Sequence, residues 1–225
     1  FDSEYTYFSS FSTSWLEHSK KYVDMMMDRF DLNEESLVIE IASNDGYLLQ
    51  YFKAYHVPVL GVDPASNTAF VAKEKGIDTI VDFFSSKVAR NRLVRKGSMA
   101  DLVIGNNVLA HVPDIKDFVK GMKLILKPGG IITMEFPHLK ELVDGNQFDT
   151  IYHEHFSYLS LTAVKSIFSE NGLTIFDVEE YPTHGGSLRV FAQRSDTGQY
   201  SRSQVVVDLL QREKQAGITS IDYYS

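Results

Sequence analysis

The segment YHEHF at positions 152–156 concentrates side chains that can move protons or bind metal ions. Tyr152, His153, Glu154 and His155 bring a phenol, two imidazoles and a carboxylate together within four residues. A free imidazole has a pKa of about 6.5, so it can accept a proton near neutral pH, and a neighbouring carboxylate or phenol can orient it. Proton transfer is therefore the favoured chemistry here. Two other interpretations stay open: a zinc or iron site built from the same ligands, and a solvated loop without chemistry.

A second set of candidates lies where predicted strands end. The segment VIEIASNDGYLL joins a strand to a helix and carries Glu40, with Ala42 and Asn44 in place of two glycines of a dinucleotide fingerprint and Gly46 retained. Asp63, in GVDP, follows the next strand 23 residues after Glu40. A carboxylate at this edge of a parallel sheet commonly binds ribose hydroxyls. The alternative for Asp63 is a helix N-cap.

A third strand ends in VDFF, which contains Asp82 and Phe83. At the same edge of the sheet, Asp82 could meet an adenine amino group while Phe83 stacks nearby. A plain surface turn is the alternative for both residues.

The elements that must position these residues show two periodicities. Apolar residues at three- and four-residue intervals predict a helix over 14–30. From residue 37, short apolar runs alternate with helical stretches at about 48–54, 67–75, 86–96 and 115–126, which is typical of a doubly wound α/β fold with a parallel sheet. The predicted strands are LVIEIA, VPVLGVD, DTIVDF, DLVIGN and GGIITMEF.

After Pro137 the pattern changes. HLKELVDGNQFDTIYHEHFSYLS has no strong period and is interpreted as a long functional loop. A helix at 161–171 with Gly172 as its cap, two strands around PTHGG and a helix at 203–216 are predicted to follow. We therefore expect an N-terminal helical segment (1–36), a cofactor-binding domain (37–136), and a substrate-side loop with a partial C-terminal α+β region (137–225).

Composition excludes several classes of protein. Of the 225 residues, 44% are hydrophobic, and 30 acidic side chains outnumber 22 scattered basic ones, so a nucleic-acid partner is disfavoured. No apolar stretch approaches the roughly 18 residues of a membrane span, and the first residues, FDSEYTYF, lack a basic region followed by an apolar one, so membrane and secretory proteins are disfavoured. The chain has no cysteine, which excludes disulfides and thiolate zinc sites within it. We expect a small-molecule partner and a cytoplasmic location.

The order of motifs over 37–136 resembles that of the class I methyltransferases that use S-adenosylmethionine. The matching pieces are the acidic residue before the first loop, the acidic residue after the second strand, NNVLAHVPD and LKPGGIITMEF. The resemblance implies that Glu40 and the loop 42–46 contact the amino-acid part of the cofactor, Asp63 the ribose, Asp82 the adenine and Asn107 the region beneath the sulfonium. A dehydrogenase-like Rossmann domain is the alternative.

Four further motifs resemble the sugar C-methyltransferases that place a methyl group on carbon 3 of nucleotide-linked 4-keto-6-deoxyhexoses. They are EYTYFSSFSTSWLEH, NNVLAHVPD, FDTIYHEHFSYLS and THGGSLRVF. This resemblance implies that His155 is the general base, with Tyr152 and Glu154 beside it. Removal of the proton would leave an enolate, and the enolate would take the methyl group. The cofactor would become S-adenosylhomocysteine, and no metal would be required.

The same resemblance implies a set of substrate contacts. His111 and an N-terminal tyrosine, Tyr5 or Tyr7, would border the sugar, with a backbone-satisfied histidine and plain packing as the alternatives. The motif near the end would help to hold the nucleotide sugar through His184, Ser187 and Arg189, although a strand turn explains HGGS equally well. His153 is a further substrate-binding candidate from the aromatic loop.

Members of that family usually begin with a zinc module bound by four cysteines, which this chain does not contain. We expect that module to precede residue 1 and the C-terminal half to extend beyond residue 225. Two other functions stay open: an O-methyltransferase acting on a small phenol or sugar hydroxyl, and a non-catalytic module that binds S-adenosylmethionine.

Overall fold

A computed structural model describes residues 5–224, whose strands form one sheet. The strands are β1 (Val38–Ile41), β2 (Val59–Asp63), β3 (Thr79–Val81), β4 (Ala100–Asn106), β5 (Leu126–Pro137), β6 (Leu173–Tyr181) and β7 (Ser187–Arg194). Their order is β3-β2-β1-β4-β5-β7-β6. The first five strands pair in parallel, and β7 lies antiparallel between β5 and β6. The two C-terminal strands therefore extend the sheet of the 37–136 region.

The described residues also form helices that cover both faces of this sheet. They are α1 (Thr13–Phe30), α2 (Leu49–Ala54), α3 (Ser66–Glu74), α4 (Ser86–Val88), α5 (Ile115–Ile125), α6 (Leu139–Asp144), α7 (Leu161–Glu170) and α8 (Gln204–Ala216). Apolar side chains of α1, α2 and α3 pack on one face, and those of α5, α7 and α8 pack on the other. Because helices cover both faces, β1 is buried at all four of its positions.

Local sequence explains the limits of α1. The Ser12 hydroxyl accepts a hydrogen bond from the Trp15 N–H (3.3 Å) and caps the first turn. Asp31 adopts a left-handed conformation (φ 48°) and ends the helix. Between these ends, Tyr22, Val23 and Met26 are buried against the sheet.

The predicted fold class is confirmed, with three differences in its elements. The helix expected over 86–96 is α4 followed by a π-helical turn (Ala89–Leu93) and a 3₁₀ turn (Val94–Lys96). The strand predicted at GGIITMEF begins earlier than expected, because β5 also includes Leu126, Lys127 and Pro128. The loop expected after Pro137 contains α6, whose Lys140–Asp144 ion pair stabilises a helix too polar and too short to show a period. No helix of residues 5–224 is both long and apolar enough to cross a bilayer.

Candidate active site

One cavity of about 830 Å³ lies at the carboxyl edge of the parallel strands. Its walls come from the strand ends, the segment 149–156 and an N-terminal arm, which we define as residues 5–12. Most of the sequence-predicted residues line it: Tyr5, Tyr7, Ala42, Asn44, Asp63, Asp82, Phe83, Asn107, His111, Tyr152, His153, Glu154, His155 and His184. The structure therefore brings the carboxylates after the strands and the histidine cluster into one space.

The loop after β1 keeps the path of a glycine-rich loop without most of its glycines. Ala42 (φ 60°), Asn44 (φ 50°) and Gly46 (φ 75°) all have left-handed backbones. This region is costly for alanine, tolerated by asparagine and free for glycine. A Cβ on Gly46 would also lie 2.6 Å from Ile77 Cδ1, so the retained glycine permits close packing behind the loop.

Asp63 ties the ends of β1 and β2 together at the floor of the cavity. Its Oδ2 accepts the Asn44 N–H (2.9 Å), while Oδ1 accepts the Ala65 N–H (2.9 Å) and the Thr68 hydroxyl (3.1 Å). Burial raises the pKa of the Asp63 carboxyl, and the two backbone hydrogen bonds partly offset this. A carboxylate has about four acceptor sites, so one is left for a ligand hydroxyl. The N-cap position itself belongs to Ala65, so the N-cap alternative for Asp63 is wrong.

Glu40 and Gly46 lie behind this floor and do not line the cavity. Glu40 is completely buried, and neither of its carboxyl oxygens has a hydrogen-bond partner. Burial raises the pKa of Glu40 well above its usual value, which favours the neutral carboxyl. Glu40 is not among the residues that line the cavity, so its contact with the cofactor stays a prediction.

Asp82 and Phe83 form one end of the cavity. The Asp82 N–H donates to the Asp63 carbonyl (3.2 Å), and its carboxylate lies 3.6 Å from Arg92 Nη1. Phe83 is 61% exposed, so its ring is available at the rim to stack on a planar ligand.

The opposite end holds two oriented imidazoles. His155 Nδ1 donates to the Thr150 carbonyl (2.8 Å), and His111 Nδ1 donates to the Glu154 carbonyl (2.9 Å). Because a carbonyl only accepts, the proton of each neutral ring is assigned to Nδ1, and the lone pair of His155 is at Nε2. The two ring centroids lie 4.7 Å apart, and the Tyr152 ring lies 4.1 Å from that of His155.

These groups influence one another's ionisation. Burial lowers the pKa of His111, and the neighbouring His155 lowers it further. Burial, followed by the charge of Glu154, raises the pKa of Tyr152, which keeps the phenol as a hydrogen-bond donor. Among residues 5–224 no three histidine or carboxylate side chains converge in a way that could hold a metal ion.

Asn107 and His184 connect the two ends. Asn107 has a left-handed backbone (φ 52°), and its Nδ2 donates to His184 Nε2 (3.0 Å). Its Oδ1 is buried without a hydrogen-bond partner, which leaves an acceptor beside the cavity for a ligand donor. Ser187 does not line the cavity; its hydroxyl donates to the Thr183 carbonyl (2.8 Å) and holds the turn that carries His184.

Arg189 does not line the cavity. Its side chain is 2% exposed, and Nη2 donates to Glu135 Oε2 (2.7 Å). Nη1 donates to the Tyr181 hydroxyl (2.6 Å), and the guanidinium lies over the Tyr22 ring. Because Arg189 is on the face of β7 that packs against α1, it forms a buried ion pair and is not among the residues that line the cavity. Its contact with the nucleotide sugar stays a prediction.

Sequence reasoning missed one aromatic wall of the site. Trp15, placed by its periodicity on the buried face of α1, lines the cavity. It stacks on His18 (5.0 Å between centroids) and meets His184 edge-on (5.5 Å). As the one tryptophan of the chain, it offers a fluorescence signal from the site.

Apart from the histidines, the described ionisable side chains with a full charge at neutral pH that line the cavity are all negative. No lysine or arginine of the described residues lines the cavity, and its cationic groups are limited to histidines. Six carboxylates line it: Asp63, Asp82, Asp114, Asp117, Asp149 and Glu154. The field in the cavity therefore favours a cationic ligand.

Comparison with known families agrees with this geometry. A family model described as a methyltransferase domain matches residues 15–178, and one described as a C-methyltransferase C-terminal domain matches residues 182–225. The chain belongs to the methyltransferase-domain family.

Two characterised relatives differ in how much of the chain they match. C-methyltransferase NovU from Streptomyces niveus is 40% identical over 98% of this chain and 52% of its own length. The chain thus spans about half of that protein. A Ubiquinone biosynthesis O-methyltransferase from Bartonella tribocorum is 21% identical over 62% of this chain and 61% of its own length.

Solved structures share the fold at low identity. The PH0226 protein from Pyrococcus horikoshii OT3 has a TM-score of 0.65 and 17% identity, covering 84% of this chain and 95% of that one. Magnesium protoporphyrin IX methyltransferase (ChlM) from Synechocystis PCC 6803 with bound SAH has a TM-score of 0.63 and 15% identity, covering 80% and 83%. The predicted methyltransferase family is confirmed by the family model and the NovU match, and the Rossmann-like class I fold by the solved structures.

Proposed function

We propose that this chain carries the active site of a C-methyltransferase that methylates carbon 3 of a nucleotide-linked 4-keto-6-deoxy sugar. The observation that carries the proposal is the oriented His155 imidazole, whose Nδ1 is bound to the Thr150 carbonyl in the same cavity as Asp63. The match to NovU, which is named a C-methyltransferase, supports transfer to carbon.

The cavity fits S-adenosylmethionine in charge and in polar groups. The cofactor is a cation at sulfur, and the lining is rich in carboxylates with no lysine or arginine among its described residues. Asp63 would bind the ribose hydroxyls, Asp82 and Phe83 the adenine, and the backbone at Ala42 and Asn44 the amino-acid part. When bound, the cofactor supplies a methyl group already activated for transfer to a nucleophilic carbon.

The chain itself must make that carbon nucleophilic. A ketone at carbon 4 acidifies the proton on carbon 3, and His155 Nε2 would accept that proton. The electron pair of the broken C–H bond then forms the carbon–carbon double bond of an enolate, and the negative charge moves to the former ketone oxygen. Tyr152, whose ring lies 4.1 Å from that of His155, would face this oxygen and donate its phenol hydrogen to it, since preorganised donors stabilise developing charge most strongly.

A second candidate, transfer to oxygen, is favoured by the match to the Ubiquinone biosynthesis O-methyltransferase. Such a reaction needs a base for a hydroxyl and no acidified carbon. The match covers 62% of this chain at 21% identity, a weaker observation than the NovU match over 98%.

Product analysis tests the proposal. The full-length enzyme is incubated with methyl-labelled S-adenosylmethionine and a panel of nucleotide-linked keto sugars, and the product is examined by NMR. We expect the label on a carbon without an attached proton, stable to reagents that cleave methyl ethers. Label removed by those reagents would identify an O-methyltransferase. Binding of the cofactor without any transfer would identify a binding module.

A further inference from the structure

The N-terminal arm is bound to the loop after β1 by one side chain. Asn44 Nδ2 donates to the Tyr7 carbonyl (3.0 Å), and Asn44 Oδ1 accepts the Ser9 N–H (3.0 Å). A single amide thus pairs with a backbone acceptor and a backbone donor two residues apart, as a neighbouring β-strand would.

The backbone at Asn44 does not require this side chain. Its φ of 50° is one that glycine adopts without cost, and a glycine stands at this position in the fingerprint. The Asn44 N–H, which any residue but proline supplies, makes the contact to Asp63. The side chain is 8% exposed, and its hydrogen bonds go to Tyr7, to Ser9 and to the N–H of the next residue, Asp45. Two of these three hydrogen bonds therefore hold the arm.

Two other contacts flank this point. Asn67 Nδ2 donates to the Tyr5 carbonyl (2.7 Å), and Lys75 Nζ donates to the Ser10 hydroxyl (2.8 Å). Both residues belong to α3 or its C-terminus, the helix that follows Asp63. The arm is thus bound along its length by the loop after β1 and by the helix that follows Asp63.

The bound arm places its tyrosines between the two ends of the cavity. Tyr5 and Tyr7 both line it. Burial raises the pKa of Tyr5, and the charges of Asp63 and Glu154 raise it further, so its phenol is within electrostatic reach of carboxylates from both ends. If the arm were released, the cavity would lose this wall.

We propose that Asn44 is a positioning residue: its side chain holds the N-terminal arm against the cofactor loop and so shapes the binding site of the methyl acceptor. The part of this proposal that concerns the acceptor rests on the proposed function. The contact between Asn44 and the arm rests on the geometry alone.

The test is Asn44→Gly, which keeps the left-handed backbone and removes both hydrogen bonds to the arm. Hydrogen exchange at the Ser9 amide reports the contact directly, because the Asn44 oxygen is its acceptor. We expect exchange about tenfold faster or more, as the loss of two hydrogen bonds implies. In the full-length enzyme we expect the KM for the keto sugar to rise about tenfold while the Kd for S-adenosylmethionine changes less than about threefold.

Asn146→Gly is the matched control. Asn146 has the same left-handed conformation (φ 49°), is exposed, and makes no side-chain hydrogen bond within residues 5–224. The same substitution there should leave the Ser9 exchange rate and both binding constants at wild-type values.

Ser9→Pro tests the contact from the arm while Asn44 stays intact. The variant lacks the N–H that Asn44 accepts, and Phe8 already has the extended backbone (φ −107°, ψ 115°) that precedes proline. It should raise the acceptor KM as Asn44→Gly does.

Either of two results would overturn the role of Asn44: unchanged Ser9 exchange in Asn44→Gly, or a loss of cofactor affinity as large as the loss for the acceptor. Faster Ser9 exchange in an enzyme that transfers no methyl group to any keto sugar would have a different meaning. It would support the arm contact and overturn the proposed function instead.

Discussion

The two ends of the cavity are built in different ways. We name them after the proposed function: the cofactor end contains Asp63, Asp82 and Phe83, and the acceptor end contains His111, Tyr152 and His155. At the cofactor end, Asp63 is 5% exposed and accepts two backbone N–H groups and a hydroxyl from its own strand–helix junction and the neighbouring loop. At the acceptor end, His155 is half-buried and Tyr152 is 45% exposed, and both lie on an irregular segment between α6 and α7. The cofactor end is held by the sheet. The acceptor end is held by contacts within this segment and by hydrogen bonds to the segment after β4, such as that from the Phe156 N–H to the Ala110 carbonyl (2.8 Å).

Under the proposed function, this difference separates cofactor binding from proton abstraction in space. Groups fixed at strand ends need no rearrangement to bind a ligand common to the whole family. Groups on a loop can differ between relatives that share the sheet, which explains how C- and O-methyltransferases are both found among the relatives. Substitutions at the two ends should therefore have separable effects.

The largest expected effect is at the acceptor end. Replacing His155 with alanine should lower the rate of methyl transfer about a hundredfold to ten-thousandfold, the usual cost of losing a general base. The Kd for S-adenosylmethionine, measured by calorimetry, should stay near wild type. The control is His56→Asn, at an exposed histidine outside the cavity. A His155→Ala enzyme that keeps more than about a third of its activity would remove His155 as the base.

A substitution of Arg189 tests whether this residue stabilises the fold or binds the substrate. Arg189→Met leaves the buried Glu135 carboxylate without its permanently charged partner and should lower the free energy of unfolding by about 3 to 5 kcal/mol. Arg194→Met, which breaks the more exposed pair with Asp196, should cost at most about 1 kcal/mol. Denaturant titration measures both. Unchanged stability with a raised KM for the nucleotide sugar would return Arg189 to the substrate site.

A smaller effect is expected at the cofactor end. Asp63→Ala should weaken S-adenosylmethionine binding by about 1 to 3 kcal/mol, since it removes charge-assisted hydrogen bonds, while the fold persists by circular dichroism. Asp78→Ala, at an exposed carboxylate just before β3, is the control. Unchanged affinity would limit Asp63 to joining β1, β2 and α3.

The smallest effect concerns pH. Burial alone would raise the pKa of Glu135, but contacts with His18 and Arg189 lower it overall. A depressed pKa contributes stability that is complete above the unfolded pKa of about 4.3 and is lost as the pH falls towards the folded pKa. The free energy of unfolding should therefore decline more steeply below pH 4.3 in the wild type than in Glu135→Gln. Glu34→Gln, at an exposed site, should follow the wild type, and equal slopes in all three proteins would contradict the ion pair.

The sequence predicted the cofactor end better than the acceptor end because strand order has a strong signal. Continuous apolar runs located the strand ends, and with them Asp63 and Asp82. The left-handed conformations of Ala42 and Asn44 were not predicted. Alanine rarely adopts this backbone, and asparagine also adopts others, so neither residue type identifies it.

Side-chain direction was the main source of error. Every residue of β7 before Arg194 is buried, so alternation could not reveal which face Arg189 occupies. The Trp15 wall was missed because helical periodicity marks a buried stripe without saying that one end of it reaches a cavity. Glu213, which accepts hydrogen bonds from His138 and from the start of α7, pairs with His138 across 75 residues, a separation that no local pattern encodes.

Hydrogen exchange at carbon 3 of the keto sugar tests the division between the two ends most directly. The full-length enzyme, with S-adenosylhomocysteine bound, is placed in deuterated water with the nucleotide-linked keto sugar, and deuterium at carbon 3 is followed by NMR. We predict exchange in the wild type, no exchange in His155→Ala, and the same S-adenosylhomocysteine affinity in both proteins. Exchange that persists in His155→Ala, or a loss of S-adenosylhomocysteine binding in that variant, would contradict the assignment of proton abstraction to the acceptor end.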